Sequence, residues 1–307
     1  MSTVLRMLRQ WRGSRVFYHT LSRLQTVKSR RAAPSTATVL RQSIYFRRGF
    51  VLSSLMYLGY EAYQGLSEFA VVHASVSVQD IQEQADYLYG AGETEKLYIF
   101  LSEHKNCENG ELLWRLARAA HDYSLLSTKP AEKKRLVYEA IDFAKKALDK
   151  DPSNFAAHKW YAICLSDIGD YEGIQVKISN VFEIKKHFEK AIELNNKDAT
   201  TIHLLGLWSY FVAEMPWAQR KIASVLFTTP PTSTFEKALK LFERAEEVSP
   251  NFYSKNLLFL GKTFLKLKNK EKAIAWLLKA KQVTARTEED KEVIKEATGL
   301  LNSLGIK

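Results

Sequence analysis

From about residue 80 onward, apolar residues recur three and four positions apart with charged residues between them, a period that predicts one amphipathic helix after another. The pattern runs through "ELLWRLARAAHD", "FAAHKWYAICLSDIG", "HFEKAIELNN", "TFEKALKLFERAEEVSPN" and "LLFLGKTFLKLKNKEKAIAWLLKA". No segment alternates apolar and polar residues between tight-turn signals, so no hairpin is predicted. The helices fall into pairs in which a first helix carries large residues around a small one, and a second carries alanines four and three apart. Leu113, Leu116 and Ala117 pair in this way with Ala140, Ala144 and Ala147, closed by Pro152. His158, Tyr161, Ala162 and Leu165 pair with Ile184, Phe188 and Ala191. Ile202, Leu205 and Gly206 pair with Ala238, Phe242 and Ala245, closed by Pro250; Leu257, Leu260, Gly261 and Phe264 pair with Ala273, Leu277 and Ala280. A weaker pair at about 80 to 105 starts the array.

These units resemble the 34-residue tetratricopeptide repeat, with its large-x-x-Leu-Gly-x-x-aromatic first helix and Ala-x-x-x-large-x-x-Ala second helix. Gly or Ala in the middle of a first helix lets the two helices approach closely while large neighbours fill the space around the contact. The expected fold is therefore all-α, a solenoid of four or five stacked units with inserted helices, over residues 80–307. Insertions are expected at "STKPAEKKR", "GDYEGIQVKISNV" and "AEMPWAQRKIASVLFTTPPTST". In the last, Pro216 suits a first helical turn, and Trp217, Ile222, Val225 and Leu226 suggest an apolar side. Pro230 and Pro231 are expected to stop that helix, and Ser233 with Glu236 to cap the next one.

Several irregular stretches, "WRLARAAHD", "YAICLSDIGDYEGIQVKI", "FTTPPTSTFEKAL" and "SPNFYSKNLLFLGKT", together resemble the regulator of microtubule dynamics family, and the likeness covers residues 80 to 307. The resemblance implies a non-enzymatic, microtubule-associated helical-repeat protein of the cytoplasm and cytoskeleton, linked to the mitotic spindle and its poles. It also implies relatives anchored to mitochondria through the N-terminus.

Composition changes the picture mainly at that end. The formal net charge is +11, and residues 1–60 hold ten Arg and one Lys with no acid. The remaining 34 basic residues face 34 acidic ones, so the repeat body is neutral and gives no nucleic-acid footprint. Residues 1–48 form a basic, Arg-rich segment whose start, "MSTVLRMLRQWRG", is amphipathic and acid-free in the manner of a mitochondrial presequence. A basic arm drawn to any acidic polymer, a microtubule included, fits the same residues. Residues 49–79 open on "GFVLSSLMYLGY", twelve mostly apolar residues where a bilayer span needs about 20, so this apolar linker is expected to lie on a membrane or pack on the body. Mitochondrial membrane association is thus expected through residues 1–72.

Catalytic chemistry has no constellation to rest on. There is no Gly-rich phosphate loop, HExxH, CxxC or nucleophile elbow, and the only cysteines, Cys107 and Cys164, have no metal-ligand spacing. No cofactor or metal is expected. The histidines read as ordinary hydrogen-bonded helix residues, and Trp114, Trp160, Trp208 and Trp276 as core. Binding is where repeats act, through the groove that first helices line. The groove positions expected from repeat geometry are Trp114, Arg118, His121, Lys159, Ser166, Thr200, His203, Tyr210, Lys255, Lys262 and Lys266, a face that leans basic. Such a groove suits an extended acidic peptide, and the glutamate-rich tails of tubulin are that kind of ligand.

Overall fold

The structure is a computed structural model that describes residues 77–306. The expectations for residues 1–48 and 49–76 lie outside the described residues. Thirteen α-helices and no strand make up the described chain. In order they are α1 (Val78–Gly90), α2 (Thr94–Ser102), α3 (Gly110–Leu126), α4 (Pro130–Lys150), α5 (Phe155–Glu172), α6 (Ile174–Ser179) and α7 (Val181–Leu194). There follow α8 (Ala199–Glu214), α9 (Trp217–Leu226), α10 (Phe235–Val248), α11 (Ser254–Lys266), α12 (Lys270–Lys281) and α13 (Glu288–Ser303).

Five pairs form the array: α1 with α2, α3 with α4, α5 with α7, α8 with α10, and α11 with α12. The last helix, α13, packs on both α11 and α12 and covers the end of the array. Short helices α6 and α9 interrupt the third and fourth pairs, and the two insertions pack against each other. Asparagine and threonine caps set the starts: Asn109, Asn154, Thr234, Asn269 and Thr287 each accept a backbone N–H of the helix they open. Thr287 with Asp290 forms a full capping box for α13.

The small residues of the repeat do what their spacing predicts. A Cβ built on Gly206 would stand 2.7 Å from the Phe242 ring, and one on Gly261 would stand 2.7 Å from Leu277, with the Leu277 backbone N at 3.3 Å. Ala117, Ala140, Ala144, Ala147, Ala238, Ala245, Ala273 and Ala280 are wholly buried. Gly261→Ala is therefore expected to lower stability. Overpacking costs about 1–3 kcal/mol, and the better helix propensity of alanine returns at most about 1 kcal/mol. A denaturant midpoint measured for Gly261→Ala alone and with Leu277→Ala checks this: the second change must cost less in the presence of the first.

The fourth unit departs from expectation in three ways. α9 ends at Leu226, where the Phe227 N–H closes on the Ala223 carbonyl, so Pro230 and Pro231 lie beyond the helix in an extended link and do not stop it. The cap of α10 is Thr234, whose Oγ1 accepts the Lys237 N–H; the Ser233 hydroxyl is buried and makes no hydrogen bond. The cap thus sits one residue later than the Ser233–Glu236 spacing suggests, because the extended backbone at Thr234 aims its hydroxyl into the first turn. Finally, Pro216 precedes α9 as its N-cap, and the apolar residues of α9 divide: Ile222 and Ala223 pack on the core, whereas Trp217 is 69% exposed, Val225 85% and Leu226 43%. One flank of the helix meets the core and the six-residue α6, and the other has no apolar neighbour to cover it.

Candidate functional site: the ladder along the first helices

Helices α1, α3, α5, α8, α11 and α13 stand in succession, and every neighbouring pair among them is joined by at least one polar side-chain link. Asp86 of α1 receives the Arg115 guanidinium of α3 in two bonds, Nε at 3.0 Å and Nη2 at 2.7 Å. Arg115 also reaches Glu111 at 2.6 Å, and Glu111 accepts from Asn154 at the start of α5. Arg118, 2% exposed, lies with its guanidinium carbon 3.3 Å from the Tyr89 ring centroid and Nη2 3.5 Å from Asp86. Stacking holds this cation, as planar guanidinium groups permit.

Between α3 and α5 the link is His121. Its Nε2 lies 2.8 Å from Asp167 and its Nδ1 3.2 Å from Asp122. Carboxylates only accept, so both ring nitrogens carry protons and His121 is an imidazolium. Burial alone would disfavour that charge, but the two aspartates outweigh it and push the pKa up to about 9.

Between α5 and α8 stands a buried ion pair, Lys159 Nζ to Asp198 Oδ2 at 2.9 Å, with the Thr201 hydroxyl donating to the same oxygen at 2.6 Å. Burial opposes ionisation of Asp198, yet Lys159 and Thr201 hold its pKa below the usual carboxylate range. Between α8 and α11, His203 Nδ1 meets Asn256 Oδ1 at 2.8 Å. Asn256 spends both amide hydrogens on Phe242 O and Glu246, so its oxygen accepts and His203 donates from Nδ1. Burial drives the His203 pKa down to about 3, which keeps the ring neutral. Glu214 and Lys266 make the other link of these helices, at 2.6 Å. Lys255 of α11 and Tyr253 just before it converge on Glu289, Ser254 on Asp290, and Lys262 on Glu296, so α13 is fastened at three heights.

The predicted groove residues thus line up along one run of helices, but their cations are answered from within. Lys159, Lys255, Lys262 and Lys266 each have a carboxylate within 2.9 Å, and His121 has two within 3.2 Å. The expected basic lean of this face is offset by acids on the same or a neighbouring first helix. Arg118, His121, Lys159, His203 and Tyr210 are buried, and Tyr210 is enclosed edge-on by Phe211, Phe235 and Phe259. Trp114 is half-buried with its Nε1 donating to Glu111, and Ser166 and Thr200 are also half-buried. The expectation of an open, positively charged groove at these residues is corrected accordingly: repeat geometry predicts the face, whereas the close spacing of first helices buries half of its side chains. Sequence reasoning missed the acceptors Asp86, Asp167, Asp198, Asn256, Glu289 and Glu296. A signal for two of them exists, because Lys255–Glu289 and Lys262–Glu296 are each 34 residues apart, one repeat period.

Of the tryptophans, Trp160 and Trp208 are buried and Trp114 and Trp276 partly so, as core residues. Among the described residues no group of three or more His, Cys, Asp or Glu side chains is placed to hold a metal ion. No helix among them is long and apolar enough to cross a membrane.

Stacked helix pairs with a small residue of the first helix facing a large one of the second define a tetratricopeptide-like repeat protein. A thermophilic TPR protein of Thermus thermophilus has the same fold, with a TM-score of 0.52 at 15% identity over 72% of this chain and 99% of that one. The family model described as regulator of microtubule dynamics protein 1-3 matches residues 81–305. The chain is 64% identical to regulator of microtubule dynamics protein 1 of Homo sapiens over 263 residues, 85% of this chain and 84% of that one. It is 64% identical to the Mus musculus protein of the same name over 260 residues, 84% of this chain and 85% of that one. With protein 3 of Xenopus laevis the identity is 38% over 185 residues, 60% of this chain and 40% of that one. The chain belongs to the regulator of microtubule dynamics family.

Proposed function

We propose that the protein is a non-enzymatic, microtubule-associated scaffold that binds microtubules and influences their dynamics or their attachment at the mitotic spindle and its poles. The observation that carries this reading is family membership across the repeat body, residues 81–305, whose relatives bear the name of microtubule-dynamics regulators. Stacked repeats act by holding partners on extended surfaces, and the family name supplies the partner. The ligand class is acidic, the exposed glutamate-rich tails of tubulin. Co-sedimentation of the full chain with microtubules tests it. Pelleting is expected at low salt, falling after the tails are removed and as salt is raised. A chain that stays in the supernatant at every salt overturns the reading.

A second reading has its own observation, the acid-free run of ten arginines and one lysine in residues 1–60. In that reading the segment, with the apolar stretch to residue 72, places the protein at mitochondria, where the repeat body docks a protein or lipid. Fluorescence of a fusion carrying residues 1–60 is then expected on mitochondria; uniform cytoplasmic signal ends the proposal.

A further inference from the structure

The ladder consumes most cations of the first helices, and the surplus emerges elsewhere. Residues 251–286 hold nine basic side chains against one acid, Glu271. Lys255, Lys262 and Lys266 are spent on Glu289, Glu296 and Glu214. Among the described residues, the other six form no ion pair. Since residues 61–307 as a whole are neutral, this end of the body is positive at the expense of the rest.

Three of the six stand at the entry to α12 and along one of its flanks. Lys268 sits at the α11–α12 turn with φ of 59°, and the turn is locked by the Lys268 and Asn269 N–H groups closing on the Leu265 and Phe264 carbonyls at 3.0 and 2.9 Å. Lys272 and Lys279 follow on α12 with Trp276 between them, an i, i+4, i+7 spacing that keeps all three on one flank. Their ammonium groups are seated over rings, Lys272 at 5.5 Å from Phe264 and Lys279 at 4.1 Å from Trp276. A ring restrains a lysine without neutralising it, which leaves the charge for an outside acid.

We infer that this strip is a docking surface for an extended, acidic polypeptide segment, with Lys268, Lys272 and Lys279 as its anchors. This deepens the reading of the protein as a binder of acidic microtubule tails, on which it rests, and moves the contact from the first-helix face to the α11–α12 end. Lys272 and Lys279 are about 10 Å apart along the helix, close to one three-residue turn of polyproline II, which returns residues i and i+3 to the same side, so carboxylates spaced three apart on such an extended segment meet both. A lipid surface fits less well: the large apolar side chains that are exposed among the described residues all precede residue 227. Nucleic acid fits less well because Trp276, the nearest ring for base stacking, is half-buried beneath Lys279.

The test is fluorescence anisotropy of a labelled short oligoglutamate peptide with the full chain, wild type against Lys268→Gln/Lys272→Gln/Lys279→Gln. The control is Lys145→Gln/Lys237→Gln/Lys240→Gln, which removes the same charge from exposed sites on α4 and α10. The strip variant is expected to bind about tenfold more weakly and the control within about threefold of wild type, with the difference vanishing in high salt. Equal loss in the two variants, no binding by wild type, or an RNA of equal charge that outcompetes the peptide overturns the inference. Microtubule pelleting separates it from the reading beneath it. A strip variant that pellets like wild type sinks the strip and spares the reading. A wild-type chain that never pellets, yet loses peptide in the strip variant, does the reverse.

Discussion

Lys159→Met is expected to destabilise the protein by about 3 kcal/mol, among the larger effects available to one substitution outside the apolar core. The cause is the partner left behind. Lys159 and Asp198 are 6% and 11% exposed, and the lysine is the chief reason that Asp198 keeps its charge against burial. Removal of the ammonium leaves a carboxylate out of water with the Thr201 hydroxyl for company. The double variant Lys159→Met/Asp198→Leu removes both charges and is expected to recover most of the loss, since a buried pair replaced as a whole costs little. A double variant as unstable as the single one would show that the pair acts through something other than its charges. The position also matters for cooperativity, because the pair ties α5 to the start of α8, the third unit to the fourth. In a stack whose units contact only their neighbours, a weakened boundary is expected to split one unfolding transition into two. Denaturation followed by circular dichroism and by the emission of a variant that keeps Trp160 and Trp208, on either side, as its only tryptophans measures both.

Much of this architecture was legible because the repeat writes it in apolar residues. Gly206 facing Phe242 and Gly261 facing Leu277 could be read from spacing, since only a small residue at a helix crossing lets the large one opposite fill the gap. Caps act locally, yet the one cap expected, at Ser233, fell a residue early, because neighbouring hydroxyls offer the same side-chain chemistry and backbone conformation selects between them. The ladder was not, for it joins residues across units. Where units keep the 34-residue period, as at Lys262 and Glu296, an acid one period on is a usable signal. Where insertions intervene, the period fails. His203 and Asn256 are 53 residues apart because α9 and its proline link lie between their helices, and His121 and Asp167 are 46 apart. A groove inferred from first-helix positions alone therefore counts cations without the acids that answer them. The exposure of Trp217, Val225 and Leu226 on α9 was illegible for a similar reason, as an apolar residue in a helical pattern does not state whether anything covers it.

The same ladder predicts a dependence on pH with a definite sign. His121 has a pKa of about 9 in the folded protein and an ordinary value of 6.5, and the ring is buried between Asp122 and Asp167. Below pH 6.5 it is protonated in both folded and unfolded chains, and its contribution to stability is fully present. As pH rises through 6.5 the unfolded chain gives up its proton first, so stability falls until the folded ring also deprotonates near 9. The full loss is about 3 kcal/mol, the size of the shift at 1.36 kcal/mol per unit. His203 works in the opposite direction: with a folded pKa of about 3 it contributes stability that is present above 6.5 and lost as pH falls toward 3. Cys164, buried beside Asp167 and Asp122, has a thiol pushed well up by burial. Its unfolded form ionises at the alkaline edge of the same window and adds to the loss there. Roughly half of the His121 effect falls below pH 8, ahead of the thiol. Denaturant stability measured between pH 6.5 and 8 in a Cys164→Ala background is thus expected to decline in the presence of His121 and, in His121→Gln, to rise slightly as the unfolded His203 loses its last protonated fraction. An undiminished slope in that variant would place the titrating proton on another group and remove His121 as the charged link between α3 and α5.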